Sequence, residues 1–255
     1  MSVVTLTTDF GSTDYYVGVL KGAMLCQNST INLVDISHNI KNYDIVQASY
    51  VIKNTYQSFP KGTIHLVSVN NFYSKNKRFI AIKQDGNYFI GPDNGVFSLI
   101  FEEMPKQVYE LDYEEKGTFP LKNVYANAVG HIVNDMPFHE IGMPVKKIVQ
   151  RITLQPVISK SQIRGSIIHI DNYENAIVNI SKDLFKRVQQ KRNFSLYFKR
   201  YNPITELSEQ YYDVPVGEVL CLFNSAGYLE IAVHMGRAAS LLGLKIDDTV
   251  QIDFH

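Results

Sequence analysis

The sequence predicts two domains: an α/β N-terminal domain, whose mostly parallel sheet is flanked by helices, and a smaller β-rich C-terminal domain. Strand and helix patterns alternate through the first half of the chain, the pattern breaks into prolines and basic residues over 141–162, and closely spaced short strands follow Gly165. Alternation of this kind is typical of a parallel sheet covered by helices. We therefore predict domains over residues 1–140 and 163–255, joined by a linker over 141–162.

The N-terminal half begins with a strand, a turn and a helix. Val3–Thr8 is rich in β-branched and apolar residues, and apolar residues recur at helical spacing from Asp14 to Leu25. A hairpin is predicted around Asp85-Gly86-Asn87, because these residues tolerate positive φ. Further strands are predicted at Ile31–Ile36, Thr63–Val69, Phe79–Lys83, Tyr88–Gly91 and Val108–Leu111, and helices at Asp44–Tyr56, after Pro92–Gly95 and at about Asn123–Val133.

The C-terminal half is a succession of short strands. The charged run Lys182–Arg192 interrupts them and is typical of a solvated helix face. The predicted strands are Ser166–Asp171, Ala176–Ile180, Phe194–Phe198, Val219–Phe223, Tyr228–Val233 and Thr249–Asp253.

The composition argues for a small-molecule ligand. The 25 Lys and Arg residues balance the 25 Asp and Glu residues, so no net field favours nucleic acid or an anionic membrane surface. Cys26 and Cys221 are too few and too far apart for a disulfide framework or a zinc site. The first residues, MSVVTLTTDF, lack the basic flank and apolar stretch of a signal peptide, and no 18 apolar residues run together, so we expect neither secretion nor a membrane span. We therefore expect a cytoplasmic protein.

The first candidate site is the segment TTDFGSTD, which contains Asp9 and Asp14. Asp9 ends the first strand, where open parallel sheets bind ligands, and its carboxylate can accept hydrogen bonds from two vicinal hydroxyls. Asp14 can pair with an ammonium group. On spacing alone, the alternative that Asp9 caps a turn and Asp14 a helix has equal weight. The glycine-rich phosphate motifs of nucleotide-binding folds are missing.

Two further candidate sites lie in the C-terminal half. Asp171, Tyr173 and Asn175 follow a strand at alternate positions, so we expect their side chains to share one face that could bind a purine and an ammonium group. A polar hairpin turn explains the same residues equally well. In Asn224–Leu244 a strand runs into Gly236 and a short helix, where free backbone amides would suit a carboxylate or an adenine edge. The alternative is a packed corner.

Taken together, these segments resemble the family of S-adenosylmethionine (SAM) hydroxide adenosyltransferases, or SAM hydrolases, and the related fluorinases and chlorinases. The resemblance covers nearly the whole chain and implies SAM or adenosine as ligand, no further cofactor, no metal, and a homotrimer with sites between one subunit's first domain and its neighbour's second. The matching segments are TTDFG with Asp14, VDISH (Val34–His38), FPKGTIH (Phe59–His65), PDNG (Pro92–Gly95), HIDNYEN and NSAGYLEIAV (Asn224–Val233).

The resemblance also implies how SAM is bound. Asp9 would bind the ribose hydroxyls, Asp14 and Asp171 the methionine ammonium, and Ser225 its carboxylate, while Tyr173 and either Tyr212 or Tyr211 would sandwich the adenine, whose edge Asn175 and the backbone near Met235 would bind.

The chain departs from the family at the residues that handle water. Hydrolases of the family have Asp, Arg and His in motifs resembling V-D-P-G-V-G-T-x-R and T-F-H-G-R-D, where this chain has VNNFYSKNK and TFPLKN. Asn70, Lys77 and Pro120 therefore occupy the three positions, and none of them supplies the same chemistry. The fluorinase pattern would require a Tyr at position 70 and a Ser at position 121, where this chain has Asn and Leu.

Three functions remain open from the sequence. The first is a SAM-cleaving enzyme that forms adenosine and L-methionine, with Asn70 and Lys77 in a rebuilt nucleophile pocket. The second is a variant that uses chloride or another small anion. The third is a SAM- or adenosine-binding protein without turnover. Residues near the altered motifs that could restore a base are His38, His65, Tyr73, Lys75 and Lys122, of which we expect the two histidines to be structural.

Overall fold

The computed structural model describes residues 2–115 and 117–255 and divides into two compact units, Met1–Ile152 and Thr153–His255. The segment 141–162, predicted as a linker, contains two short strands. Each of them pairs with a longer strand of its own unit, so this segment extends both sheets. Within the described part of the chain, no helix has the length and apolarity needed to cross a membrane.

The described residues of the first unit form seven strands and four α-helices, which follow the predicted order. Two short 3₁₀ turns at Tyr56–Ser58 and Phe138–Glu140 complete it. In chain order the elements are β1 (Val3–Thr8), α1 (Tyr16–Gln27), β2 (Asn32–Ser37), α2 (Ile45–Lys53), β3 (Ile64–Ser68), β4 (Phe79–Gln84), β5 (Asn87–Pro92), α3 (Val96–Ile100), β6 (Gln107–Glu110), α4 (Leu121–Val133) and β7 (Met143–Pro144).

The sheet of the first unit is mixed, which corrects the prediction of a mostly parallel sheet. Its strand order is β2-β1-β3-β5-β4-β6-β7. The three pairs on the β2 side are parallel, whereas the three pairs that involve β4 or β7 are antiparallel. The cause is the tight turn at Asp85 and Gly86, both at positive φ, because so short a connection forces β4 and β5 to run antiparallel.

Helices cover both faces of this sheet. On one face, Met24 of α1 and Tyr125 of α4 are fully buried in a core that includes Leu66 of β3. On the other face, α2 and α3 pack over the same sheet and bury Ile52 and Phe97. The sheet is therefore the middle layer of three, and its loops at one edge remain available for a site.

The carboxyl ends of β1, β3 and β5 lie at the same edge of the sheet, because these strands run parallel. The antiparallel β4 begins at that edge. Asp9, Asn70 and Asn94 follow the three parallel strands, and Lys77 and Arg78 precede β4. The topology thus brings residues distant in sequence to one edge, where sheets of this kind bind ligands.

The second unit is built on an antiparallel sheet, in agreement with the predicted β-rich domain. The strand order is β11-β14-β9-β10-β13-β12, with β8 beside β9. Its elements are β8 (Val157–Ile158), β9 (Gln162–Ile170), β10 (Ala176–Ser181), α5 (Lys182–Gln189), β11 (Phe194–Phe198), β12 (Val219–Phe223), β13 (Tyr228–Val233), α6 (Ala238–Leu242) and β14 (Thr249–Phe254).

Helix α5 accounts for the charged run of the second unit. Phe185 and Val188 are buried in the core, while the charged residues between them face solvent. Ser181 begins the helix, because its hydroxyl accepts a hydrogen bond from the Leu184 N–H. This run is a solvated helix face, as predicted.

His65 is a buried histidine of β3. Its Nδ1 lies 2.8 Å from Thr5 Oγ1, and its ring stacks on Phe89 at a centroid distance of 5.0 Å. Burial lowers the pKa of His65 to about 4. The imidazole is therefore neutral at physiological pH and belongs to the core.

We expect His65 to make the free energy of unfolding depend on pH. Its pKa is about 4 in the folded chain and 6.5 when exposed, so the unfolded state binds the proton first as the pH falls. The free energy of unfolding includes the full contribution of neutral His65 above pH 6.5. It decreases by up to about 3 kcal/mol as the pH falls from 6.5 to about 4. Denaturant titrations at several pH values should show a weaker dependence in His65→Asn. His139→Asn, at an exposed histidine, is the control, and equal slopes in all three proteins would contradict this explanation.

Candidate functional site

Asp9 connects three segments at the carboxyl edge of the first unit. Its Oδ2 accepts hydrogen bonds from the backbone N–H groups of Tyr43 (3.0 Å) and Asn70 (3.1 Å). The Asn42 side chain donates to the Asp9 carbonyl oxygen at 3.0 Å. Among the residues the structure describes, none donates to Asp9 Oδ1. One carboxylate oxygen thus organises the loops, and the other is available to a ligand.

Asn70 is fixed through its backbone. Its φ of +52° lies in the left-handed region, which asparagine tolerates better than most residues. Its N–H donates to Asp9, and its carbonyl oxygen accepts from Asn94 Nδ2 at 3.0 Å. Its side-chain amide makes no hydrogen bond within the described chain. The amide is therefore positioned beside Asp9 and can orient a ligand or water, although it cannot take up a proton.

The segment PDNG supports this loop. Besides its bond to Asn70, Asn94 Nδ2 donates to the Val69 carbonyl oxygen at 2.9 Å. Asp93 is almost fully buried and forms an ion pair with Arg78, whose Nε lies 2.9 Å from Asp93 Oδ2. Arg78 is thus engaged in the scaffold.

Lys77 is a fixed cation. Its Nζ lies 2.7 Å from Glu115 Oε1 and 5.3 Å and 5.9 Å from the ring centroids of Phe72 and Tyr113. The hydrogen bond to Glu115 raises the pKa of Lys77 above its ordinary value. Lys77 therefore remains protonated at neutral pH and cannot act as the base.

A cavity of about 230 Å³ lies beside Lys77, between the start of β4 and the end of β6. Arg78, Glu110, Asp112 and Tyr113 also line it, so its wall carries charges of both signs. A small polar molecule or several waters would fit this volume. Lys77 therefore lines a cavity that is large enough for a small nucleophile such as water.

Pro120 has a structural role at the position where the family has histidine. It is buried and immediately precedes α4, whose first turn its fixed φ favours. The preceding Phe119 packs against Phe10 and Tyr16 with centroid distances of 5.8 Å and 5.2 Å. The loop before α4 therefore lies against the loop that follows β1.

Two of the possible replacement bases are tied up in the fold. His38 is buried, its Nδ1 lies 2.9 Å from Thr8 Oγ1, and its Nε2 lies 3.0 Å from Asp35 Oδ1, so the ring is held between two strands of the sheet. Burial raises the pKa of Tyr73, which keeps its hydroxyl protonated. With His65 in the core, neither histidine is available.

The remaining candidates of the first unit are exposed. Lys75 and Lys122 are surface cations. Asp14 is exposed as well, and the first turn of α1 has no side-chain cap. The alternative in which Asp14 caps the helix is thus wrong, and its carboxylate faces solvent.

In the second unit, Asp171, Tyr173 and Asn175 form a hairpin turn between β9 and β10. Asp171 Oδ1 accepts from the backbone N–H groups of Tyr173 (2.9 Å) and Asn175 (2.8 Å). The predicted alternation along a strand is wrong, because the Asp171 side chain folds the backbone into a turn. Tyr173 is 76% exposed, whereas Asn175 is buried and donates to Asp171. A turn of this kind still presents an aromatic ring to a ligand.

Two amides at the start of α6 are already bonded. Glu174 Oε2 accepts from Ser240 N–H at 3.0 Å, and the Glu174 carbonyl oxygen accepts from Ala239 N–H at 2.8 Å. The prediction of open amides at this junction is therefore wrong for Ala239 and Ser240. Met235, at a φ of +54°, and Ser225 are both exposed.

The sequence interpretation missed two residues. Tyr43 has a φ of +68° and is 72% exposed beside Asp9, an unusual conformation for a bulky residue and one that often marks a binding site. Glu230 is a nearly fully buried carboxylate within β13 that bonds to Tyr211 and Asn224. Only Glu230 left a signal in the sequence, as a charge within the apolar run YLEIAV.

Comparison with known proteins finds a matching family model for each of the two units. A family model described as the SAM hydroxide adenosyltransferase N-terminal domain matches residues 4–142, and the model of the C-terminal domain matches residues 165–251. A relative named (R)-S-adenosyl-L-methionine hydrolase, from Methanocaldococcus jannaschii, is 28% identical over 99% of this chain and 96% of its own. A relative named fluorinase, from an Actinoplanes species, is 23% identical over 98% of this chain and 97% of its own.

The fold is also found among solved structures. The crystal structure of an uncharacterized conserved protein from Thermotoga maritima superposes with a TM-score of 0.86 at 25% identity and covers 99% of both chains. The family models together span most of the sequence, in the order in which the two units occur. The chain therefore belongs to the SAM hydroxide adenosyltransferase family.

Proposed function

We propose that this protein is an enzyme that hydrolyses SAM to adenosine and L-methionine. Water attacks the ribose C5′, the C5′-sulfur bond breaks, its electron pair passes to sulfur, and the water gives up one proton. The observation that carries the proposal is Asp9, whose unbonded Oδ1 lies next to the backbone-fixed Asn70 at the carboxyl edge of the sheet. Relatives over almost the whole chain are named SAM hydrolases, which supports the same reaction.

In this proposal the ligand contacts follow the family resemblance. Asp9 Oδ1 accepts from the ribose hydroxyls, and the exposed ring of Tyr173 stacks on the adenine. Asp14 and Asp171 bind the ammonium group and Ser225 the carboxylate. Tyr212 or Tyr211, Asn175 and Met235 complete the set, and SAM is bound without a further cofactor.

The nucleophile requires little beyond orientation and removal of its proton. The leaving group is a neutral thioether, so no acid has to protonate it. We propose that the Asn70 amide and the Lys77 ammonium orient the attacking water. Glu115, whose Oε1 lies 2.7 Å from Lys77 Nζ, then accepts the proton that this water gives up. This arrangement would replace the carboxylate that position 70 lacks.

The second candidate is binding of SAM or adenosine without turnover. It is favoured by the raised pKa of Lys77 and by Pro120, since neither residue provides a base. The halide variant has weaker support, because fluorinases are among the relatives but Asn70 and the buried Leu121 do not match their pattern.

We also propose that the protein is a homotrimer, because the family resemblance implies one. Sedimentation equilibrium of the purified protein should then give three times the mass of one chain. A monomer at micromolar concentration would contradict this assembly.

The reaction can be tested by chromatography of the products. We expect purified protein incubated with SAM to form adenosine and methionine in equal amounts, above the uncatalysed background. A 5′-halonucleoside formed only when halide is added would favour the halide variant. SAM binding by calorimetry without any product would establish the binding protein and contradict both enzymatic functions.

Asp9 should control SAM affinity. In Asp9→Asn, the amide oxygen can still accept from Tyr43 and Asn70, whereas an NH₂ group replaces the Oδ1 that faces the ribose. We expect calorimetry to show an affinity at least about tenfold lower, the value of one hydrogen bond to a charged group. Asp183→Asn on exposed α5 is the matched control. Equal affinity of both variants would exclude Asp9 from the site.

Glu115 and Lys77 should control turnover rather than binding. We expect Glu115→Gln and Lys77→Met each to lower kcat at least about 100-fold, the usual contribution of a general base, while KM changes by less than about threefold. Glu103→Gln, at an exposed glutamate without an ion pair among the described residues, is the control. A Glu115→Gln variant with the wild-type kcat would contradict the proposed base.

A further inference from the structure

Glu230 is the most deeply buried carboxylate that the proposed reaction leaves unexplained in the second unit. It lies within β13, opposite Leu222 of β12 and Ile177 of β10, and is 3% exposed. A carboxylate in such surroundings is costly unless both of its oxygens are satisfied. Each oxygen of Glu230 accepts a hydrogen bond, and the two donor residues lie on different loops.

The first partner of Glu230 is Tyr211. The Tyr211 hydroxyl donates to Glu230 Oε1 at 2.8 Å, while 43% of the residue remains exposed. The backbone of Tyr211 is fixed as well, because Asp213 Oδ2 accepts from the N–H groups of Glu209 and Gln210 and closes the short 3₁₀ turn. The ring is therefore restrained at both ends and still presents a face to solvent.

The second partner of Glu230 is Asn224. Asn224 Oδ1 accepts from the N–H groups of Ala226 and Tyr228, both at 3.1 Å, which determines the orientation of the amide. Its Nδ2 must then point to Glu230 Oε2, at 3.1 Å. This turn contains Ser225, the residue expected to meet the methionine carboxylate.

Tyr212 provides an internal comparison. It is adjacent to Tyr211 and is 73% exposed, and no group among the described residues bonds to its hydroxyl. An aromatic ring that is already fixed loses less conformational entropy when a ligand binds. Tyr211 is therefore the better preorganised of the two rings.

Asp171 is close enough to influence this group electrostatically. The pKa of Glu230 is raised, first by burial and also by the charge of Asp171. The pKa of Tyr211 is raised by burial, by its hydrogen bond to Glu230 and by the same Asp171 charge. The hydrogen-bonded group and the hairpin turn of Asp171 therefore belong to one electrostatic neighbourhood within the second unit.

We propose that Glu230 is a positioning residue for SAM, which fixes the Tyr211 ring and the Asn224–Gly227 turn in one arrangement. Tyr211, rather than Tyr212, then forms the aromatic wall for the adenine in the second unit. The proposal rests on the proposed function, because it assumes SAM as the ligand. Glu230 acts through its two partners and does not itself touch the substrate.

Four variants test the role of Glu230. Tyr211→Phe removes the hydroxyl, and Tyr197→Phe, at a similarly exposed tyrosine of β11, is the matched control. In Glu230→Gln, the amide oxygen can still accept from Asn224 while the NH₂ group faces Tyr211, so only the Tyr211 contact changes. The fourth is the double variant Tyr211→Phe, Glu230→Gln. The three substitutions nearly preserve side-chain size, and thermal unfolding midpoints equal to that of the wild type would show that all four variants fold.

We expect Tyr211→Phe to raise the Kd of SAM and of adenosine about tenfold and Glu230→Gln about threefold, because a bond to a charged group is lost or weakened. Tyr197→Phe should leave both values unchanged. The double variant should match Tyr211→Phe alone, since Glu230→Gln acts through the same hydroxyl. In turnover, KM should rise in parallel while kcat stays constant.

Three results would overturn the proposal. An effect of Tyr197→Phe as large as that of Tyr211→Phe would show that the loss is not specific to the hydroxyl bond to Glu230, and additive effects in the double variant would show that Glu230 does not act through Tyr211. Equal binding of SAM by the wild type and all four variants would contradict the role of Glu230 but not the proposed function. A wild-type protein that binds neither SAM nor adenosine would contradict the proposed function, and this inference with it.

Discussion

The first unit depends on the two hydrogen bonds that Asp9 Oδ2 accepts from the backbone of Tyr43 and Asn70. Each is a charge-assisted bond, and together they join the loops that follow β1, β2 and β3 at one edge of the sheet. Both donor residues have positive φ. Such conformations cost free energy, and they persist because the surrounding bonds determine them. The carboxylate therefore shapes the edge as well as offering an oxygen to a ligand.

Other hydrogen bonds and ion pairs make this edge of the sheet rigid. Among the described residues, they leave Asp9 Oδ1 and the Asn70 side-chain amide unbonded. Asn94 fixes the Asn70 carbonyl oxygen, and the Arg78–Asp93 pair joins β4 to the end of β5. Arg78 is engaged in this way, whereas its neighbour Lys77, which lines the same cavity, forms its ion pair with the exposed Glu115. That ion pair keeps Lys77 protonated, so Lys77 can attract and orient a group but cannot accept a proton. In the proposed reaction the base is therefore a carboxylate.

The sequence allowed the element order and the edge position of Asp9 to be predicted, because both depend on local patterns. It left the turn around Asp171 as one of two alternatives, and the structure contains that turn. The sequence did not reveal the antiparallel insertion of β4, the left-handed backbone of Tyr43 and Asn70, or the Lys77–Glu115 pair. These features are set by contacts between segments far apart in the chain. The satisfied amides of α6 were missed for the same reason, since Glu174 reaches them from another turn.

In the sequence, ligand binding and water handling are separate, since the segments that match the family concern the ligand and the altered segments concern the nucleophile. The geometry couples them. Asp9 Oδ1 is available for the ribose, while Oδ2 of the same carboxylate fixes the Asn70 backbone, so the sugar and the amide that would face its C5′ are positioned by a single side chain. In the proposed reaction, the nucleophile is therefore oriented relative to a ribose that Asp9 binds. The residue at position 70 determines the chemistry available there, while its backbone N–H connects that position to Asp9.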